Sequence, residues 1–325
     1  MKISGVGATV LAIIVSSQAL LSPCPNVRGP SVSYNTAPGW SYVKVVGGLR
    51  SPRDLVLDSL GRLLIIEVGV GITQHLVDAH GCIINTRLLI SRDDLNHGIC
   101  LSADGKTLYA SSPSSVFRWD YDLNTGDVGQ NAVEVVTGMW TSGHISRTLA
   151  IPPHRQDLLV VSHGSDMNID LDSSNPEIAR AIVKVFNISS APAGGYKFVS
   201  EGWNAGYGLR NEVGLAFDGN NMLWGVENSA DNIVRTVGDT IIDIHANNPA
   251  EELNFLGDVT LPNDNWYGYP RVLHSVEARL AVGPRLPSRP AVRPSTHRGF
   301  QRRHVCPDLR ATRTQLPGAL STARV

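Results

Sequence analysis

The chain has 325 residues, 42% of them apolar and 18% charged, with 31 Gly and 19 Pro. It is too apolar for a disordered chain, its glycines are too aperiodic for a collagen, and its four Cys are too few for a small disulfide-stapled fold. The net charge of −1 conceals an asymmetry: residues 271–325 hold 11 Arg, no Lys and only Glu277 and Asp308 as acids, so an acidic body carries a basic tail.

The N-terminus reads as an export signal. Lys2 supplies the charge, Val6 to Val15 is a short apolar run, and the small residues Ser17 and Ala19 suit cleavage after Ala19. The run is too short to span a bilayer, so no membrane span is expected after cleavage and the protein is expected to be secreted. Export permits disulfides. Cys24, Cys82, Cys100 and Cys306 allow three pairings, of which Cys82–Cys100 closes a short loop and is favoured. Asn187-Ile-Ser189 is a glycosylation sequon expected near a turn.

Residues 20–270 form the body. Four stretches in it share one pattern: Leu55–Ile66, Ile99–Ala110, Leu149–Val160 and Leu215–Val226. Each is a short apolar strand, a polar turn often carrying Asp or Gly, and a second apolar strand, which is the signature of a β-hairpin. The starts are 44, 50 and 66 residues apart. Further strands fill the gaps: Val116–Tyr121 and Ala132–Val136 flank Asn124-Thr-Gly-Asp127, and Ala181–Phe186 is expected to pair with Tyr196-Lys-Phe-Val199 across a Gly-Gly turn. About four strands per repeat at this period is what a β-propeller blade requires, and long helical patterns are absent, so the fold is predicted to be all-β. Four blades are legible. The segment 271–325 is rich in Arg and Pro with no sustained period, so it is expected to be disordered or aberrant in origin, leaving the C-terminal part of the ring incomplete.

Oxidoreductase chemistry with a nicotinamide is not supported, because no Gly-x-Gly-x-x-Gly opens a helix after a strand. No nucleic-acid partner is expected. Asp166–Asp172 resembles a calcium loop, yet it lacks the glycine and the distal glutamate of an EF-hand.

The body does resemble one family. Ser51-Pro-Arg-Asp-Leu55, Leu95-Asn-His-Gly-Ile99, Gly143-His-Ile-Ser-Arg-Thr-Leu149, Tyr207–Phe217, Glu227-Asn-Ser-Ala-Asp-Asn232, Asn248–Asn254 and Asn265-Trp-Tyr-Gly-Tyr-Pro270 stand in order at matching repeat phases. Together they are similar to the soluble quinoprotein glucose/sorbosone dehydrogenases, in particular the fungal pyranose (sorbosone-type) dehydrogenases that use pyrroloquinoline quinone (PQQ). The resemblance implies a six-bladed β-propeller and oxidation of pyranose or aldose sugars at the anomeric carbon. Oxidising a sugar hydroxyl needs a base for its proton and a cofactor for its hydride. By the resemblance, His144 is the base and Arg210 steadies the reduced quinone. Arg53, Asn96, His97, Arg147, Arg210, Asn211 and Asn228 contact PQQ, and the main-chain carbonyls of Ser229 and Ala230 hold Ca²⁺. Electrons would pass to a one-electron acceptor such as a cytochrome. Two other readings stand beside this one: a calcium-dependent lactonase-like hydrolase, which needs several carboxylates at the axis, and an inactive fragment or non-catalytic binding propeller.

Overall fold

The computed structural model describes residues 23–30, 35–243 and 251–271. The expected export signal and nearly all of the basic tail lie outside the described residues, as does Cys306.

The described residues form strands and three short 3-10 turns. The first sheet runs β1 (Pro52–Leu57), β2 (Leu63–Glu67), β3 (Gly71–Val77) and β4 (Ile83–Ser91), each antiparallel to the next. The second contains β5 (Ile99–Leu101), β6 (Thr107–Ser111), β7 (Val116–Asp122), the two-residue β8 (Asp127–Val128) paired only with β7, and β9 (Val133–Thr137). The third begins β10 (Leu149–Ala150), β11 (Leu158–His163), β12 (Ile182–Asn187). Here one expectation fails. Tyr196–Lys197, labelled β13, does not turn back on β12; it crosses to the second sheet and lies parallel to β9. Phe198, just beyond it, packs against Phe186 and His163, so aromatic burial outweighs the local hairpin. The partner of β12 is instead β14 (Trp203–Tyr207). The fourth sheet is β15 (Glu212–Phe217) and β16 (Leu223–Glu227), followed after the separate hairpin β17 (Val234–Val237) and β18 (Thr240–Asp243) by β19 (Glu252–Gly257).

All four repeats read from the sequence are the first two strands of a sheet. Two of their polar turns share one device. In the first and fourth, Asp58 and Asp218 accept backbone N–H groups two and four residues on, at 2.8–2.9 Å, which closes the turn without a partner strand.

The sheets are the blades of a propeller. Their inner strands β1, β5, β10 and β15 neighbour one another in turn. Three apolar clusters fill the three spaces between faces. Leu64, Ile66 and Ile72 meet Leu108, Phe117 and Trp119 between blades one and two. Tyr109, Val116 and Val136 meet Leu159, Val161 and Phe186 between two and three. Leu158, Val160 and Val185 meet Leu215, Leu223 and Leu256 between three and four. Successive residues of β11 therefore serve two different cores, which explains its unbroken apolar run. On the far face of blade four, Leu253 and Phe255 are exposed among the described residues.

The favoured disulfide is corrected. Cys24 bonds Cys82, tying the N-terminal segment to the turn between β3 and β4. Cys100 lies on an inner strand and packs into the core between blades two and three, so it faces away from the outer turn that carries Cys82. The sequon residue Asn187 ends β12 at a short turn, where its side-chain oxygen accepts from the Ser189 hydroxyl at 2.7 Å and backbone N–H at 3.1 Å.

Candidate functional site

Most of the residues expected to bind a ligand lie at or just before an inner strand: Arg53 is the second residue of β1, Asn96 and His97 precede β5, His144 and Arg147 precede β10, and Arg210 and Asn211 precede β15; Asn228, Ser229 and Ala230 instead follow β16. A repeated device holds these approaches. In each blade a side chain at the end of the second strand accepts the backbone N–H of the approach loop: Glu67 from Arg50, Ser111 from Gly98, Ser162 from Thr148, and Glu227 from Arg210. Two hydroxyls also reach across to the next blade: Ser111 donates to the Arg147 carbonyl and Thr148 to the Val213 carbonyl, both at 2.9 Å. Sequence reasoning missed these pins. The signal was present, because Glu67, Ser111 and Glu227 stand twelve positions after their repeat starts and Ser162 thirteen.

Close backbone approach compresses the rim. A Cβ on Gly98 would stand 2.3 Å from the Arg147 carbonyl oxygen, so only glycine lets the second and third loops touch. A Cβ on Gly164 would meet both His144 Cβ at 2.5 Å and Asn211 Oδ1 at 2.6 Å, which places those two candidates on either side of it.

His144 is half-buried and its tautomer is fixed. Nδ1 lies 3.0 Å from the Ser165 carbonyl, which can only accept, and 2.9 Å from the Ser165 hydroxyl. That hydroxyl spends its own proton on the Met167 carbonyl at 2.8 Å. Nδ1 therefore carries the hydrogen, and Nε2 keeps its lone pair. Burial, then the Arg210 and Arg147 charges, push the imidazole below its ordinary pKa. The group is a neutral base at neutral pH.

On the side of the first two blades, polar capacity is left over. Arg53 is exposed, and one guanidinium nitrogen lies 3.3 Å from His97 Nδ1. Asn96 donates to the Ile145 carbonyl at 2.8 Å, while its buried Oδ1 has no partner among the described residues.

The other side is closed. Arg147 is fully buried and donates to the carbonyls of Pro113, His144, Ser146 and Trp140. It braces the His144 loop, and no carboxylate pairs with it among the described residues; burial pulls its guanidinium down to about 9. Arg210 spends every N–H inside the protein: on the Asn168 carbonyl and side-chain oxygen, the Asn228 and Ser229 carbonyls, and the Asp231 carboxylate. The structure thus gives Arg147 and Arg210 protein partners where the resemblance implies a cofactor. Behind Arg210, Asn254 bridges two buried carboxyls. Burial and mutual repulsion push Glu212 up to about 8, and burial pushes Glu227 up to about 7.

The donor sets can be tested against the implied groups. An anionic quinone and a sugar hydroxyl fit the free atoms: an exposed guanidinium, an unpaired amide oxygen that asks for a donor, and a basic Nε2. Calcium at Ser229 and Ala230 does not fit. The Ser229 carbonyl is occupied by Arg210, whose positive charge lies against that oxygen. Among the described residues no three His, Cys, Asp or Glu side chains gather to hold a metal.

The TrAA12-like family model matches residues 34–281. A PQQ-dependent pyranose dehydrogenase of Coprinopsis cinerea is 39% identical over 248 residues, which are 76% of this chain and 34% of that protein. A PQQ-dependent sugar dehydrogenase of Hypocrea jecorina is 37% identical over 245 residues, 72% of this chain and 56% of that one. The holo PQQ domain of the Coprinopsis cinerea enzyme superposes with a TM-score of 0.72 at 39% identity, covering 76% of this chain and 61% of that domain. The calcium structure of a Trichoderma reesei AA12 enzyme gives 0.70 at 34% identity, covering 77% and 63%. This chain therefore spans about a third of the pyranose dehydrogenase and just over half of the sugar dehydrogenase. With the motifs in phase and the match running over three of its four quarters, the chain belongs to the TrAA12-like family.

Proposed function

We propose that the hub binds PQQ and a pyranose or aldose sugar, and that His144 takes the proton from the anomeric hydroxyl as the sugar is oxidised. The observation that carries this reading is the locked imidazole. Ser165 holds Nδ1–H, so Nε2 is the nitrogen left to accept a proton. Burial, joined by the Arg210 and Arg147 charges, keeps that ring uncharged. When bound, PQQ would supply the hydride acceptor that no side chain offers. Arg53 would hold a carboxylate of the cofactor, and Asn96 Oδ1 and Asn211 would meet hydroxyl or N–H donors on their two sides of the rim. The names of the relatives support the same chemistry. Electrons would leave to an external one-electron acceptor such as a cytochrome. Secretion belongs to this reading as well: the N-terminal apolar run and the Cys24–Cys82 disulfide both suit an oxidising compartment.

The test is dye reduction by the full chain supplied with PQQ and a panel of aldoses. His144→Ala should lower turnover by about 10²–10⁴-fold while the quinone absorbance stays with the protein. Because the imidazole is held below its usual pKa, wild-type turnover should persist into mildly acid solution and fall only as His144 takes a proton. Turnover that survives the substitution removes His144 from the chemistry.

A further inference from the structure

The loop Asn228–Asp231 is built to hold a cation, and the cation it holds is part of the chain. Five oxygens face the Arg210 guanidinium. Three are backbone carbonyls: Asn168 at 3.1 Å from Nε, and Asn228 at 3.1 Å and Ser229 at 2.5 Å from one terminal nitrogen. The other two, the Asn168 side-chain oxygen at 2.9 Å and the Asp231 carboxylate at 3.0 Å, take the second terminal nitrogen. A guanidinium has five N–H donors, so each donor has one acceptor and none is left over.

The cage is held from outside. Asn168 donates to the Asp231 carbonyl and accepts the Asp231 N–H, both at 2.7 Å. Ser229 N–H goes to the Glu251 carboxylate at 2.8 Å, and Asn228 N–H to the Asn211 carbonyl at 3.0 Å. The loop is thus fixed around Arg210, and the Arg210 side chain is only 3% exposed. Carbonyls, an amide oxygen and one carboxylate are the ligands a hard divalent ion prefers. Such an ion and the guanidinium need the same oxygens, and like charges at that separation exclude each other.

We infer that Arg210 is the resident cation of this oxygen cage, and that it takes the place of a divalent ion there, making the hub of this chain independent of calcium. The inference is independent of the proposed function and takes only the expectation of calcium at this loop from the resemblance. Its test uses neither quinone nor sugar, so either can fail without the other.

The experiment is calorimetric titration of the full chain with CaCl₂, alongside the melting temperature in CaCl₂ and in chelator. The wild type should show no saturable binding at this loop up to about 1 mM, the weak end of natural calcium sites. Any heat from elsewhere on the surface should be unchanged in Asp231→Asn. Arg210→Met, which empties the cage and keeps its oxygens, should gain calcium affinity by about tenfold or more and should melt higher in calcium than in chelator. Saturable wild-type binding that Asp231→Asn abolishes overturns the inference. A folded Arg210→Met that gains no calcium response overturns it equally. If Arg210→Met does not fold, the comparison of wild type with Asp231→Asn decides alone.

Discussion

Where blades one and two meet the axis, Arg53 lies exposed and Asn96 keeps a buried oxygen without a partner among the described residues. Where blades three and four meet it, Arg147 and Arg210 stand in the approaches to β10 and β15, yet both are sealed in protein oxygens. The same residue type beside the inner strands does opposite work. Counting donors against acceptors separates the two: a guanidinium with spare N–H groups can recognise a ligand, and one whose donors are spent holds loops in place. On this view the third and fourth blades provide a rigid floor under His144, and the first two provide the free recognition atoms.

The largest effect that could break this contrast is on Arg147. Arg147→Met takes a donor away from four carbonyls in a dry site, among them that of His144 itself. Denaturant unfolding should show a loss of about 3–5 kcal/mol, the range for buried charged groups whose network is broken. Arg147→Lys should recover only part of it, because three rotating donors cannot reproduce a planar fork. A loss below about 0.5 kcal/mol, as for an ordinary surface site, would mean that the brace does not exist.

How far the sequence reached is explained by which interactions leave a local trace. The blades were legible because a hairpin writes its own pattern: two apolar strands around an Asx turn such as Asp58 or Asp218. That His144 and Arg210 precede inner strands could be read from the repeat starts, while their roles came from the resemblance. What a guanidinium donates to was not legible, since Asn168 and Asp231 lie 42 and 21 residues from Arg210 and meet it only through the fold. The β13 crossing and the Cys24–Cys82 bond were hidden for the same reason. Tyr196 sits one short turn from β12, yet its pairing is decided by a neighbouring blade, and Cys24 reaches Cys82 over a separation of 58 residues.

A middle-sized effect sharpens the contrast through pH. His163 lies on the closed side beside the Trp140 carbonyl that Arg147 also uses, at 3.1 Å, and burial followed by the Arg147 charge pushes it down to about 3. A base with a depressed folded pKa stabilises the fold above its unfolded value of about 6.5, and that contribution drains away as the pH falls. Between pH 6.5 and 5 the loss should be about 2 kcal/mol. The Glu212–Glu227 pair acts with the opposite sign. Its raised pKa values favour the fold in acid, and the benefit is lost as the pH rises from the ordinary carboxylate range through about 7 and about 8. The two slopes overlap, so each needs its own variant. Relative to wild type, His163→Gln should gain stability as the pH falls, and Glu212→Gln should gain it as the pH rises. Parallel pH profiles for all three proteins would show that neither group is dry.

The smallest expected effect tests the open side. Asn96→Ala removes one hydrogen bond to the Ile145 carbonyl and, with it, the buried oxygen that has nothing to accept. These terms oppose each other, because an unsatisfied buried acceptor costs about as much as a neutral hydrogen bond returns. Stability without ligand should therefore change by less than about 1 kcal/mol, in contrast to Arg147→Met. The distinction lies in what PQQ adds. A ligand that binds only the folded state raises the unfolding midpoint according to its affinity, so the wild type should melt higher with PQQ, and Asn96→Ala should recover less of that rise. If both proteins gain the same increment, the unpaired oxygen is not a recognition atom, and the division of the hub into a spent side and a free side loses its functional meaning.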